Sequence, residues 1–188
     1  MQQTKLITTE TPRLRLRQWY DTDYAPFARL NADPQVMQFM LGCLDETTSN
    51  ANANTFRQLI AQHGWGIWAV ECKATQTFLG FVGLHQTTAA IPCLPCVEIA
   101  WRLAAEHWGK GYATEAARAA LRFGFEVLQL PEIVAFTAVI NKRSQAVMER
   151  LGMQRDLHTF QHPNVPIGNP LREHCLYRLQ SFSHSANG

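Results

Sequence analysis

The apolar residues fall into short blocks whose period changes along the chain. Over residues 13–17 Arg and Leu alternate, with Leu14 and Leu16 on one face and three arginines on the other, the pattern of a half-exposed strand with a solvated arginine face. Asp21 or Asp23 is placed to cap a short helix running towards Asn31, and Asp33-Pro34 opens another through Met40. Residues 47–63 gather Phe56, Leu59 and Ile60 on one side of a polar helix that Gly64 stops. Residues 65–72 and 78–85 read as a strand pair around a turn at 73–77. Trp65 and Trp68, three apart in such a strand, fall on opposite faces, as core and pocket wall.

The second half alternates more regularly. Val97–Leu103 is a strand, 114–128 an Ala-rich helix, 133–139 a β-branched strand and 143–151 a second helix. Further strands at 153–160 and 175–179 flank a loop at 162–170 rich in Pro, Gly and Asn. A long helix between two strands implies a right-handed crossover and a parallel pair, while hairpins at both ends make the rest antiparallel. The expectation is one α/β (mixed α+β) domain over 1–188, core about 11–180, with a mixed, mostly antiparallel sheet of about six to seven strands and helices on both faces.

Composition narrows the class. With 46% apolar and 17% charged residues, a 188-residue chain buries a core without disulfides or a structural metal. Seventeen basic against fifteen acidic residues leave a net charge of +2, which gives no footprint for nucleic acid or an anionic membrane surface. No apolar run is long enough to span a bilayer, and residues 1–17 lack the apolar region of a signal peptide. Five cysteines, an odd number spread from Cys43 to Cys175, do not form a secreted disulfide framework. These features describe a reduced, soluble, cytoplasmic protein.

The chemistry concentrates where strand 97–103 runs into Trp108-Gly109-Lys110-Gly111 and then into a helix. Glycines let the backbone turn tightly beside a ligand, and the free N–H groups of a first helical turn attract an anion. A dipole contact alone is worth only about 0.3–1 kcal/mol, whereas hydrogen bonds to charged groups run at about 1.5–3 kcal/mol each, so several N–H groups converging on a phosphate dominate. Lys110 adds a cation. A Walker A loop needs Ser or Thr after its Lys, and Gly111 stands there; a dinucleotide fingerprint needs a third glycine where Thr114 stands. The remaining readings are a different phosphate loop or a plain strand–helix turn.

The run Trp108-Gly-Lys-Gly-Tyr-Ala-Thr114 after Glu98-Ile-Ala-Trp-Arg-Leu103 resembles the acetyl-CoA loop of the GCN5-related N-acetyltransferases (GNAT), in the branch of the ribosomal-protein alanine N-acetyltransferases. That loop is written [QR]-x-x-G-x-[GA]; Gly111 and Ala113 match, and Trp108 takes the place of Gln or Arg. Asn141-Lys-Arg-Ser144, followed by Met148-Glu-Arg-Leu-Gly-Met153, resembles the family's second motif, and the likeness extends from Thr11 to Leu179. The resemblance implies a splayed parallel strand pair that admits the pantetheine arm of acetyl-CoA as co-substrate. Backbone groups at Trp101 and Leu103 would pair with that arm, and an N–H of this strand would face the thioester oxygen. Trp108, Gly109, Lys110, Gly111, Tyr112, Ala113 and Thr114 would hold the pyrophosphate, with Asn141 and Ser144 on the cofactor. The activity implied is acetyl transfer to a primary amine by direct attack in a ternary complex, with no metal and no nucleic-acid partner. The alternative is a sensor that binds acyl-CoA without chemistry.

Within what the resemblance implies, several roles stay open. Glu98, costly to bury among Val97, Ile99 and Trp101, is either the general base or a structural or substrate-orienting carboxylate, paired in the structural case with an arginine such as Arg102 or Arg122. Asn141 either touches the pantetheine or caps the following helix. Ser144 contacts the cofactor or protonates the departing thiolate, with Tyr177 the other candidate acid. Cys93-Leu-Pro-Cys96 lacks the further ligands of a zinc site, and His158, His162 and His174 read as surface or substrate-pocket residues. The acceptor could be a protein N-terminus, a free amino acid, a polyamine or an aminoglycoside, and monomer and homodimer are equally compatible.

Overall fold

The computed structural model describes residues 8–88 and 90–181. The first and last seven residues of the expected 1–188 domain lie outside the described residues. One eight-stranded sheet organises the described residues. Its strands are β1 (Thr9–Glu10), β2 (Leu14–Arg17), β3 (Ile67–Cys72), β4 (Phe78–Gln86), β5 (Val97–Leu103), β6 (Glu132–Ala138), β7 (Gln154–Gln161) and β8 (Glu173–Gln180). They lie in the order β1-β2-β3-β4-β5-β6-β8-β7, and every neighbouring pair is antiparallel except β5 and β6. The helices are α1 (Tyr24–Ala32), α2 (Pro34–Met37), α3 (Glu46–His63), α4 (Tyr112–Glu126) and α5 (Lys142–Arg150). This is the mixed α/β architecture expected, with the two-residue edge strand β1 in addition to the seven strands that the pattern marks.

The crossover through α4 makes β5 and β6 parallel, yet the only register between them is Glu98 with Val134. Beyond that point they diverge towards the C-terminal end of β5. The gap opens where Trp101 and Leu103 stand.

Alternation assigns the two faces of the sheet. Trp68 meets Phe123 of α4 edge-on at 5.3 Å, and Gly124 of α4 lies directly over the Ile133 and Leu84 side chains, so these residues share the α4 face. Helix α5 joins α4 there, with Arg118 Nη2 donating to the Arg150 carbonyl. On the other face Phe27 of α1 and Phe56 of α3 pack with Trp19, Phe78 and Phe81 in one aromatic cluster. Trp68 is core as expected, whereas Trp65 stands before β3 rather than within it.

Three local expectations are corrected. The arginine face of residues 13–17 is only partly solvated: Arg13 is exposed and Arg15 half-exposed, but Arg17 is 4% exposed and bonded to Asp23 and Glu71, with the turn at Asp21–Asp23 packed against it. Asp23 therefore spends its carboxylate on Arg17 and on the Tyr20 N–H instead of capping α1. Helix α2 is capped by Asp33 as expected but ends at Met37 rather than Met40, and Gln38–Met40 turn towards the C-terminal end of β5. By contrast Asp45 caps α3 and Gly64 ends it in the left-handed conformation, φ 82°. Among the described residues no helix is long and apolar enough to cross a membrane.

Candidate active site

The loop after β5 turns twice through glycine, with Gly109 at φ 74° and Gly111 at φ 78°, conformations that a side chain disfavours. Gly111 is the N-cap of α4 and has no side chain to offer, so the first-turn N–H groups of Tyr112, Ala113 and Thr114 point outward without a capping side chain. The first backbone bond of the helix runs from Glu115 N–H to the Gly111 carbonyl at 3.0 Å. Glu115 is occupied by Thr11 and Arg13, whose guanidinium also lies 4.6 Å from the Tyr112 ring centre.

A cleft of about 1150 Å³ starts at this helix end, and its lining runs on through the gap beside β5 to Val36, Gln38, Phe39 and Met40 on the α1–α3 side. Trp101, Leu103, Trp108, Gly109, Gly111, Tyr112, Ala113 and Thr114 line it, as do Asn141 and Ser144 from the start of α5. Lys110 is exposed beside the loop and is not part of the lining. Six arginines face the cleft, Arg13, Arg102, Arg118, Arg122, Arg143 and Arg150, against the single carboxylate of Glu115. Four of these arginines lie exposed on α4 and α5, and Arg143 also stacks 4.1 Å over the Trp108 ring. A near-neutral chain thus carries one concentrated cationic hollow, which suits a polyanion.

The backbone of β5 is sided. Ala104 N–H donates to the Leu79 carbonyl on the β4 side, so by alternation the N–H groups of Trp101 and Leu103 face β6, where pairing has stopped. The Leu103 carbonyl accepts from Trp108 Nε1 at 2.8 Å, which pins the loop to the strand. Asn141 caps α5, accepting from Ser144 N–H at 3.1 Å, while its Nδ2 donates to Thr137 Oγ1 at 2.9 Å. The capping alternative for Asn141 is therefore realised, in a position that also lines the cleft.

Glu98 projects from the opposite face of β5. Its partner is neither Arg102 nor Arg122 but His85, directly across β4, with Nε2 to Oε2 at 3.2 Å. Burial works against a charge on His85, but the hydrogen bond and negative charge of Glu98 prevail and raise its pKa above the ordinary histidine value. Glu98 does not line the cleft itself. Beyond it on the same face, His162 and His174 stack at 4.7 Å against Phe136 and Phe160, and burial lowers the pKa of both imidazoles. The Cys96 thiol is pushed up to about 12 by burial and by its hydrogen bond with Cys93. Tyr177 stands on the α5 side, 1% exposed, with its hydroxyl 3.3 Å from Glu149, and does not reach the cleft. Among the described residues no group of three or more His, Cys, Asp or Glu is arranged to hold a metal ion.

The arginines at 118, 122, 143 and 150 and the His85 partner are absent from the sequence-based site. Arg118 and Arg122 are four apart and Arg143 and Arg150 seven apart, spacings that place each pair on one helix face, so a partial signal existed.

Known proteins agree with this architecture. Residues 13–154 match the acetyltransferase (GNAT) domain. The uncharacterized protein YkkB of Bacillus subtilis (strain 168) is 36% identical over 181 residues, covering 96% of this chain and 98% of that protein. An acetyltransferase from Agrobacterium tumefaciens str. C58 superposes with a TM-score of 0.75 at 28% identity, covering 94% of this chain and 96% of its own. Mycobacterium smegmatis RimJ, solved with CoA-disulfide, shares the fold with a TM-score of 0.72 at 21% identity, over 96% and 90% of the two chains. By the match over residues 13–154 and the near full-length likeness to YkkB, the chain belongs to the GNAT family of acetyltransferases.

Proposed function

We propose that this acetyltransferase draws its acetyl group from acetyl-CoA and passes it to a primary amine by direct attack in a ternary complex. The observation that carries the reading is the continuous cleft from an uncapped, arginine-ringed helix end, along the unpaired edge of β5, to the opposite face of the sheet. A CoA pyrophosphate suits the first-turn N–H groups of α4, with Trp108–Thr114 around it, and its remaining phosphate suits the exposed arginines of α4 and α5. The CoA-disulfide held by RimJ on the same fold supports the choice of donor.

Acetyl-CoA supplies an activated thioester carbon that an amine attacks, forming a C–N bond as the C–S bond breaks. The N–H groups of Trp101 and Leu103 face the gap and are available to hold the pantetheine arm and the carbonyl oxygen. The attacking amine must shed a proton, since its ordinary pKa is about 10.4, and Glu98, partnered by His85 and set back from the cleft lining on the acceptor side, takes it through an intervening water. Ser144, in the first turn of α5 and on the cleft lining, is the candidate to protonate the leaving sulfur, a light task because a thiol titrates at about 8.5. Among the described residues no cysteine lines the cleft to serve as nucleophile.

Glu98→Gln tests the assignment. Thiol release from acetyl-CoA should fall by about 10²-fold or more, and the melting-temperature rise on binding acetyl-CoA should be unchanged. Full activity of the variant across the pH range would remove Glu98 as base.

A further inference from the structure

The α1–α3 face holds two guanidinium groups, one buried (Arg17) and one half-buried (Arg102), and treats them in opposite ways. Arg17 is compensated by two carboxylates, Asp23 at 2.6 Å and Glu71 at 2.8 Å. Arg102 has neutral partners only: its Nη1 donates to Asn31 Oδ1 at 2.7 Å, its Nη2 lies 3.3 Å from Met40 Sδ, and the group sits 5.4 Å from the Phe81 ring centre. Asn31 is itself fully buried and held by Ser49, so this partner is fixed in place. Among the described residues no carboxylate lies within ion-pair distance of Arg102, and burial pulls its pKa down to about 10. Two of its five N–H donors are engaged by these contacts, which leaves donors for a planar anion.

Arg102 nevertheless lines the cleft, beside Gln38, Phe39 and Met40. Directly opposite Phe81 in the β4–β5 register, it is on the α1–α3 face, away from the α4 N-terminus and the four exposed arginines there. It follows Trp101, whose N–H faces the gap, so its side chain stands on the acceptor side of the strand that would present the thioester.

Resting on the acetyl-transfer reading above, we propose that Arg102 recognises a carboxylate on the acceptor, so that the amine acetylated belongs to a molecule of the amino-acid type. The carboxylate pairs with the free guanidinium edge at the floor of the cleft and supplies the counter-charge that the protein withholds. A monoamine or polyamine without an acid group leaves that half-buried cation uncompensated and adds a second positive charge nearby. Arg102 thereby sets specificity without taking part in bond making.

The test uses the whole protein saturated with CoA and a panel of N-acetyl amino acids, including N-acetylglycine, N-acetyl-β-alanine and N-acetyl-γ-aminobutyrate, each beside its carboxamide. At millimolar concentration at least one acid should raise the melting temperature by about 2 °C or more where its amide does not. Arg102→Gln, which keeps a donor for Asn31, should lose that acid response while retaining the shift caused by CoA. Its kcat/KM for the matching amino acid should fall at least about tenfold relative to the amino amide, a change in selectivity that a purely structural role would not produce. Equal responses to acids and amides, no response to any acid, or an acid response kept by the variant would overturn the proposal. In each of those cases the CoA shift itself persists; its absence would instead sink the acetyl-transfer reading and this one with it.

Discussion

Asp23 and Asp21 stand two residues apart, each in an ion pair with an arginine at 2.6 Å, yet their replacement by Asn should have very different effects. Asp23 is 2% exposed and accepts from Arg17 Nη1 and Nη2 and from the Tyr20 N–H. Burial works against the charge on Arg17, and the bonds from Asp23 and Glu71 more than restore it. Removing one partner of a buried pair costs about 3–5 kcal/mol; Glu71 remains, which places Asp23→Asn near about 3 kcal/mol. A domain of this size loses about 2–4 °C of melting temperature per kcal/mol, so the expected fall is about 6–12 °C. Asp21, 89% exposed beside Arg57, is screened by water, and Asp21→Asn should leave stability unchanged within error. Thermal unfolding followed by circular dichroism at neutral pH compares the two. A fall of less than about 2 °C for Asp23→Asn, or equal falls for both, would refute the argument that burial decides the worth of these pairs. The same clamp fixes the start of α1, the helix that carries Asn31 to Arg102.

Two further outcomes follow from the site. Gly111→Asp places a side chain at φ 78° and a negative charge at the uncapped end of α4, so acetyl-CoA affinity measured by calorimetry should collapse while the ligand-free protein still unfolds cooperatively. Unchanged affinity would separate the glycine loop from the cofactor. The His85–Glu98 pair raises the His85 pKa above its unfolded value, so its contribution to stability is complete below about pH 6.5 and is lost as pH rises through the raised value. Urea unfolding of the parent protein and His85→Gln should accordingly differ most near about pH 5.5 and converge in alkali; a gap that widens with pH would contradict the pairing.

Local pattern carried most of the frame. The strand Val97–Leu103 has the bounds that its alternation marks, and α3 differs by one residue because Asp45 and Gly64 punctuate it chemically. The failures share one cause, which is tertiary context. Arg17 belongs to an alternating run indistinguishable from a solvated strand until the Asp21–Asp23 turn closes over it. Residues 38–40 continue an apolar texture, but Arg102 engages Met40 in a turn off the helix. The partner of Glu98 depended on the β4–β5 register across the connection 87–96, which no periodicity specifies. The glycine loop was legible because its chemistry is local. The arginines around it come from four separate elements or segments, and their sum disappears into a net charge of +2.

The central claim is that the cleft at the α4 N-terminus holds acetyl-CoA. Thermal-shift titration with acetyl-CoA, CoA, NAD and ATP side by side tests it most directly. A ligand at about a hundred times its dissociation constant adds about 2.7 kcal/mol to the folded state, which for this chain length is a rise of about 5–10 °C. The account predicts that rise with the two CoA species and none of that size with NAD or ATP. No shift with either CoA species at saturation would contradict it and reduce the glycine loop to a turn.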